Sequence, residues 1–507
     1  MNESREVESE EQNRILWLDA AKGLGVILVI LGHIIPMDRS SCHYIYSFHI
    51  PLFFVLSGII HRIKREKYSG TKDSSQPTQQ SYYRTNNSRE VLVFLKRKCQ
   101  TLLYPYVLFS FLGLIFIRFE DSLEEFGDNV PRVLLFMGIG PLWFLSALFV
   151  AEVLFFIVHS CFYSGINGTA MEQLWKMIAV VVAFLASSWF ASSFYSSVAD
   201  PDELSVWALG NVVNRGIIGF LWMEIGNALA YFHGKIQLSD WCRCVLAMIA
   251  FAISVPFAAK NSYVDLHYSL IGNPILYYLC GFLASYSIII ACQFLPKYAE
   301  RGLAFLGRNS LFIFATHMNL GIVPSVLQWI DLQDEWGRWL ITALIVVMCE
   351  AICVLFVNRF ARGLVSYSEF QHKVLGCSSF FYPVFIGACS FFLAQYAKYL
   401  WTGVGFAPFS EWMRKILTEM CLVLALILPV LLGASTKRKV SKRIGQSVDL
   451  GRLLLGVIIG NYIWYVMLYK TMKIMFPINM KCLAAGAVAM IGISGVQSMW
   501  IYRKRQT

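Results

Sequence analysis

The sequence predicts an all-α fold, a polytopic transmembrane helical bundle, and three observations carry that prediction. Of 507 residues, 57% are hydrophobic and only 15% charged, whereas typical soluble domains carry about 25% charged residues. Apolar runs of roughly 20 residues, long enough to cross a bilayer as a helix, recur from one end of the chain to the other. Lys and Arg gather between those runs, and preferentially in alternate segments.

Residues 1–14 are polar and Glu-rich, with neither a basic n-region nor a small-residue cleavage site, so they read as a cytoplasmic tail. About fourteen spans follow, each near the length a bilayer requires. Their limits fall at 15–37, 45–61, 99–118, 138–160, 174–195, 212–232, 243–259, 268–292, 302–323, 338–358, 375–398, 414–433, 452–470 and 479–501. The organisation is thus a ten-span core over 15–360 and an extension of about four spans over 361–507. With the N-terminus inside, about 30 basic residues lie on the cytoplasmic side and about 12 on the other, as the positive-inside rule requires. The acidic stretches Glu120 to Asp128, Asp200 to Glu203 and Asp331 to Glu335 all fall outside, and both termini fall in the cytoplasm. Residues 68–90, rich in Ser, Thr, Gln and Asn, lack the apolar residues of a core and read as a flexible cytoplasmic loop.

The net charge of +11 does not indicate a nucleic-acid partner, because the basic residues border apolar spans. The thirteen cysteines are scattered, mostly within spans, and form no CxxC pair, so neither a disulfide framework nor a metal site is expected.

Ionisable groups inside spans mark where chemistry should lie, because each costs at least about 2.5–3.5 kcal/mol to insert. The first span, ILWLDAAKGLGVILVILGHIIP, holds Asp19, Lys22 and His33. Lys22 and His33 are close to three helical turns apart, which puts them on one face and roughly 16 Å apart along the axis. Lys22 falls towards the cytoplasm and His33 towards the outer surface. His49 in the second span and His317 in the ninth fall at the same outer depth as His33. Pro51 is expected to interrupt the second span just after His49. Glu152 sits near the middle of the fourth span and needs a partner, for which Lys22 and Arg215 are candidates; Asp19 is a second partner for Lys22 at i, i+3. Glu224 and Glu350 read as structural carboxylates. Trp143 offers a ring on which a sugar stacks, and Trp and Tyr also belong at membrane interfaces.

The motifs that hold these residues resemble the membrane-bound acyltransferase-3 family. They are the K-x10-H pattern of Lys22 and His33 within WLDAAKGLGVILVILGH, then SFHIPLFFVLSGI at 47–59 and a basic patch before LLYPY at 94–106, followed by PLWFLSALF at 141–149 and LGRNSLFIFATH at 306–317. Their order matches the family's, and the version here looks closest to the branch of fucose 4-O-acetylases and related polysaccharide acetylases. The resemblance covers about residues 14–360 and implies transfer of an acyl group, usually acetyl, from cytoplasmic acyl-CoA to an extracytoplasmic carbohydrate. The family's basic residue and histidine fall on Lys22 and His33. Its RxxR element falls on Lys98 and Thr101, with Lys96 and Arg97 adjacent, so only the first position is basic. The extracytoplasmic hydrolase domain of some members has no counterpart here.

The expectation is therefore an integral membrane O-acyltransferase of a bacterial plasma (inner) membrane. Acetyl-CoA is its donor substrate, an extracytoplasmic carbohydrate or glycolipid its acceptor, and membrane lipid its surroundings; no metal and no nucleic acid are involved. His33 is the general base, because histidine is the side chain whose ordinary pKa suits proton transfer near neutrality. Lys22 orients the donor or balances Glu152, and those three form the catalytic set. Lys96, Arg97 and Lys98 bind donor phosphates through charge-assisted contacts. Asp19, His49, Trp143, Asn309 and His317 support the acceptor or the developing oxyanion. The competing reading is a transporter or flippase for a lipid-linked sugar, although no internal repeat of the kind common in transporters is evident between 15–250 and 260–500.

Overall fold

The computed structural model describes residues 15–69, 88–116, 123–162, 170–197, 206–319, 321–360, 414, 416–418, 420 and 421. Among them there is no strand, only one isolated bridge between Asp265 and Leu270. The helices are α1 (Leu16–Ile34), α2 (Ser40–Tyr46), α3 (His49–Ser69), α4 (Ser88–Lys98), α5 (Tyr104–Phe116), α6 (Leu123–Leu134), α7 (Trp143–Phe162) and α8 (Ala170–Ser197). They continue with α9 (Val206–Lys235), α10 (Asp240–Lys260), α11 (Pro274–Gln293), α12 (Lys297–Arg308), α13 (Ser310–Thr316), α14 (Ile322–Trp329) and α15 (Glu335–Phe360).

Seven helical stretches among the described residues are long and apolar enough to cross a membrane: Leu16–Ile34, Ser40–Glu66, Gly140–Ser160, Gln173–Ser193, Asp240–Lys260, Pro274–Gln293 and Glu335–Asn358. The last four expected spans lie outside the described residues, apart from 414, 416–418, 420 and 421. The chain forms two compact units, one of residues 1–110 with 135–359, the other of residues 111–134 with 360–507. All of the site described below belongs to the first.

In that unit α1 packs along α12, α3 along α9, α7 along α9, and α10 along α11. Two of these pairs meet at glycines. A Cβ on Gly23 would overlap the main-chain carbonyl of Leu303, and one on Gly307 that of Asp19. Gly58 and Gly226 likewise abut the carbonyls of Met223 and Val55. Within a bilayer, close approach of backbones is a main source of helix association, and only a residue without a side chain permits it. The outward faces are apolar: Leu174, Trp175 and Ile178 on α8, Met248 and Phe251 on α10, and Leu344, Met348 and Ile352 on α15 are all exposed. A contiguous apolar exterior suits lipid rather than water. By contrast α9 buries Asn211, Asn214, Arg215, Glu224 and Asn227, so its polar groups are turned into the protein.

Three helices depart from the expected spans. The ninth is not continuous over 302–323: it breaks at Asn309, between α12 and α13. The second breaks at Ser47 and Phe48, before His49 rather than after Pro51. Pro51 then stands in the first turn of α3, where its missing N–H has no intrahelical partner to lose. The third begins with a π-helical turn, Cys99–Leu103, ahead of α5, a bulge of the kind often found at functional sites. Residues 261–273, expected in part to be the eighth span, form instead a turn that leads into α11. That helix starts at Pro274 and is capped by Asn273, whose Oδ1 accepts from the N–H groups of Ile275 and Leu276 at 3.0 and 3.2 Å.

Candidate active site

The glycine contact between α1 and α12 sets the inner part of the site. It brings Arg308 beside α1, where its Nε lies 3.9 Å from Asp19 Oδ2 while Lys22 Nζ lies 3.3 Å from Asp19 Oδ1. One buried carboxylate thus holds two cations in place. They line a cavity of about 470 Å³ together with Lys64 of α3. The other end of the cavity is apolar and aromatic, formed by Phe53, Phe144 and Phe314. Those rings pack on one another, Phe144 against Phe314 at 4.8 Å and Phe53 against Phe144 at 5.7 Å between centroids.

Beyond that aromatic end lies a pair of imidazoles. The Phe314 ring is 6.0 Å from that of His317, and His317 is 5.2 Å from His33, with the two imidazole planes tilted by 46°. His317 is fully buried, and its Nδ1 lies 2.8 Å from the carbonyl oxygen of Ile313. A carbonyl only accepts, so Nδ1 carries the proton and Nε2 presents a lone pair. That Nε2 is buried and has no hydrogen-bond partner among the described residues. His49 is tied in the same way, Nδ1–H donating to the carbonyl of Ile45 at 2.7 Å, and Tyr46 packs on its ring at 5.0 Å. The arrangement joins a cavity lined by cations and aromatic rings to an imidazole pair packed against Phe314.

A comparison with known families decides what kind of protein this is. The acyltransferase-3 family model, described as an acyltransferase domain, matches residues 15–358. The chain belongs to that family. It is a membrane acyltransferase, and both Lys22 and His33 lie in the matched region. No curated protein and no solved structure matches the chain.

In this acyltransferase Glu152 does not meet Lys22 or Arg215. Its Oε2 lies 2.6 Å from His61 Nε2 and its Oε1 2.9 Å from Lys98 Nζ, all three groups largely buried. The sequence numbering hides this, because His61 ends the second expected span and Lys98 sits in the patch assigned to the donor. Lys98 is therefore engaged by Glu152, while Lys96 and Arg97 are exposed on α4, and none of the three lines the cavity. A second cluster of the same composition lies nearby: Glu224 pairs with His159 at 2.9 Å and with Lys176 at 2.6 Å. The ring of Phe155 joins the two, 5.0 Å from His61 and 4.1 Å from His159. His61, His159 and Lys176 escaped sequence analysis; the available signal was that two intramembrane carboxylates each required a cation.

The remaining expected residues fall in two places. Asn309 stands at the break of the ninth span, its Nδ2 donating to the carbonyl of Phe305 at 2.8 Å and its Oδ1 accepting from Asn358 at 3.3 Å. Trp143 is at the imidazole end, 6.4 Å from Phe144 and stacked on His267 at 5.6 Å and 19°. Arg215 lies over the same indole at 5.3 Å. Glu350 accepts from the hydroxyl of Thr316, the neighbour of His317, at 2.8 and 3.0 Å. No cluster of three or more metal-ligating side chains occurs among the described residues.

Proposed function

We propose that this acyltransferase moves an acetyl group from cytoplasmic acetyl-CoA to a hydroxyl of an extracytoplasmic carbohydrate or glycolipid. The observation that carries the reading is the cavity, which gathers Lys22, Lys64 and Arg308 with the rings of Phe53, Phe144 and Phe314, the last of which packs against the His317 of the imidazole pair. A donor with anionic phosphates at one end and an uncharged thioester at the other matches that polarity. Phosphates suit the basic mouth because charge-assisted contacts to phosphate are about twice as strong as neutral hydrogen bonds. The pantetheine arm follows the apolar neck. A cytoplasmic position for that mouth agrees with the positive-inside reading of the sequence.

At the far end His33 takes the proton of the acceptor hydroxyl as its oxygen attacks the thioester carbonyl carbon. The C–S bond breaks, the departing CoA sulfur receives that proton, and the products are an ester and free CoA. His317 stands beside His33 and offers its own lone pair to the same hydroxyl. Asp19 holds Lys22 and Arg308 on the donor side. Glu152, bonded to His61 and Lys98, braces helices α3, α4 and α7.

The test uses cells with and without the chain, and mass spectrometry of their surface polysaccharides. An acetyl increment lost with the chain and regained with it supports the reading. Unchanged acetylation, with purified protein also failing to transfer label from acetyl-CoA, overturns it.

A further inference from the structure

We infer that Arg215, seated on Trp143, holds an oxyanion carried by the acceptor, a sugar carboxylate or a phosphate, so that the acceptor is acidic. The inference rests on the acyl-transfer reading above for calling the ligand an acceptor.

Arg215 is only 1% exposed, yet no carboxylate lies within ion-pair distance of it among the described residues. Among the described residues its guanidinium makes three hydrogen bonds, all to main-chain oxygens and all at 3.4 Å: Nη1 and Nη2 to Met137, and Nη1 to His267. That is at the outer limit of hydrogen bonding, which is commonest near 2.9–3.0 Å. The Nε is buried and has no hydrogen-bond partner among the described residues. Buried cations are ordinarily paired, because desolvating an unneutralised charge is expensive. Asp265 acts on Arg215 through space without an ion-pair contact, and its Oδ1 accepts from the N–H of His267 at 2.9 Å. A planar fork with unspent donors is the group that binds carboxylate or phosphate in two-point fashion.

The surroundings are arranged as a platform. Arg215 lies over the Trp143 indole, which stacks on the His267 ring, and Asn211 fixes that turn by donating to the His267 carbonyl at 3.0 Å. The guanidinium is thereby held in a fixed plane, as two-point binding of an oxyanion requires. Both loops that reach Arg215 hold left-handed backbone at residues other than glycine, Phe136 at φ 59 and Ser269 at φ 55, and Gly138 between Met137 and Ile139 is at φ 87. Such conformations persist where the surroundings enforce them, and they cluster at ligand sites.

The position separates this anion from the donor's. Gly140, in the loop that carries the Met137 carbonyl, abuts the side chain of Asn319, two residues beyond His317. Trp143 connects through Phe144 and Phe314 to His317. The Arg215 platform is therefore at the imidazole end, whereas Lys22, Lys64 and Arg308 stand at the other end of the cavity.

The test measures binding without acetyl-CoA, on full-length protein in phosphatidylcholine nanodiscs. The probes are methyl glucuronide, glucose 1-phosphate and, as the neutral control, methyl glucoside. At least one acidic probe should bind tenfold or more tightly than the glucoside. The variant R215Q should lose that preference and R215K should keep a reduced one. If R215Q does not fold, R215K alone decides, a reduced preference supporting the inference and an unchanged one overturning it. Equal binding of all three probes by the wild type overturns it, as does a preference that survives in R215Q. So does loss of acidic-probe binding when phosphatidylglycerol replaces phosphatidylcholine, because the anion held would then be a lipid headgroup. Because no acyl transfer is needed, failure here leaves the transfer reading standing, and failed transfer from labelled acetyl-CoA leaves the binding result standing.

Discussion

The rings of His33 and His317 lie 5.2 Å apart although the residues belong to helices distant in the chain. The proton on His317 Nδ1 is committed to Ile313, which leaves the lone pair on Nε2. General-base catalysis contributes about 10²–10⁴-fold. His33→Ala should therefore lower kcat for transfer from labelled acetyl-CoA by about 100-fold or more, with normal expression and little change in donor KM. His317→Ala should lower it as well, and the double variant should fall short of the product of the two effects, because groups that act as a unit are not additive. Transfer retained by His33→Ala would end its assignment as base.

Lys22, Lys64 and Arg308 line one end of the cavity, and Lys96 and Arg97 do not. A hydrogen bond to a charged group contributes about 1.5–3 kcal/mol, which is about tenfold or more in affinity. Lys22→Gln and Arg308→Gln should each raise the KM for acetyl-CoA by about that factor, and added salt should reduce the difference from wild type. Lys96→Ala should leave KM near its original value. The reverse pattern, an insensitive Arg308 and a sensitive Lys96, would return donor binding to the patch before the third span.

Much of this was legible along single helices and little of it between them. The 3.6-residue repeat puts Lys22 within reach of Asp19, and span order puts His33 and His317 at one level, where their rings meet. Helical period does not reveal which helix lies opposite. Glu152 was therefore matched with Lys22 and Arg215, while the structure gives it His61 and Lys98. The break at Asn309 was equally hidden, because 302–323 is apolar enough to read as one helix. Arg308 acquires its place only through Gly307, whose missing side chain lets α12 settle against Asp19.

Glu152 is nearly inaccessible, at 5% exposure, and its two oxygens are divided between His61 and Lys98. Removing one member of a buried charge pair costs about 3–5 kcal/mol, because the other charge is left uncompensated. Glu152→Leu should lower the Tm of the detergent-solubilised protein sharply. The double variant Glu152→Leu with Lys98→Met should recover a large part of that loss. Activity should follow the folded fraction in both. A Glu152→Gln protein that keeps its Tm but loses turnover would instead assign the carboxylate to the chemistry.

Gly307 and Gly302 lie on the same helix and differ only in what surrounds them. A Cβ on Gly307 would overlap the Asp19 carbonyl, while one on Gly302 would have nothing within 4 Å. The obstacle at Gly307 is backbone, which has no rotamer to give way, so α1 and α12 would have to separate. That separation would carry Arg308 away from Asp19 and open the cavity, linking packing to donor binding. At Gly302 the substitution mainly restricts the unfolded chain, which stabilises by about 0.4–1 kcal/mol. Thermal unfolding and donor KM measured on Gly307→Ala and Gly302→Ala should therefore diverge: a lower Tm and raised KM for the first, an equal or higher Tm and unchanged KM for the second. Equal behaviour of the two variants would mean that the glycine contact does not position Arg308.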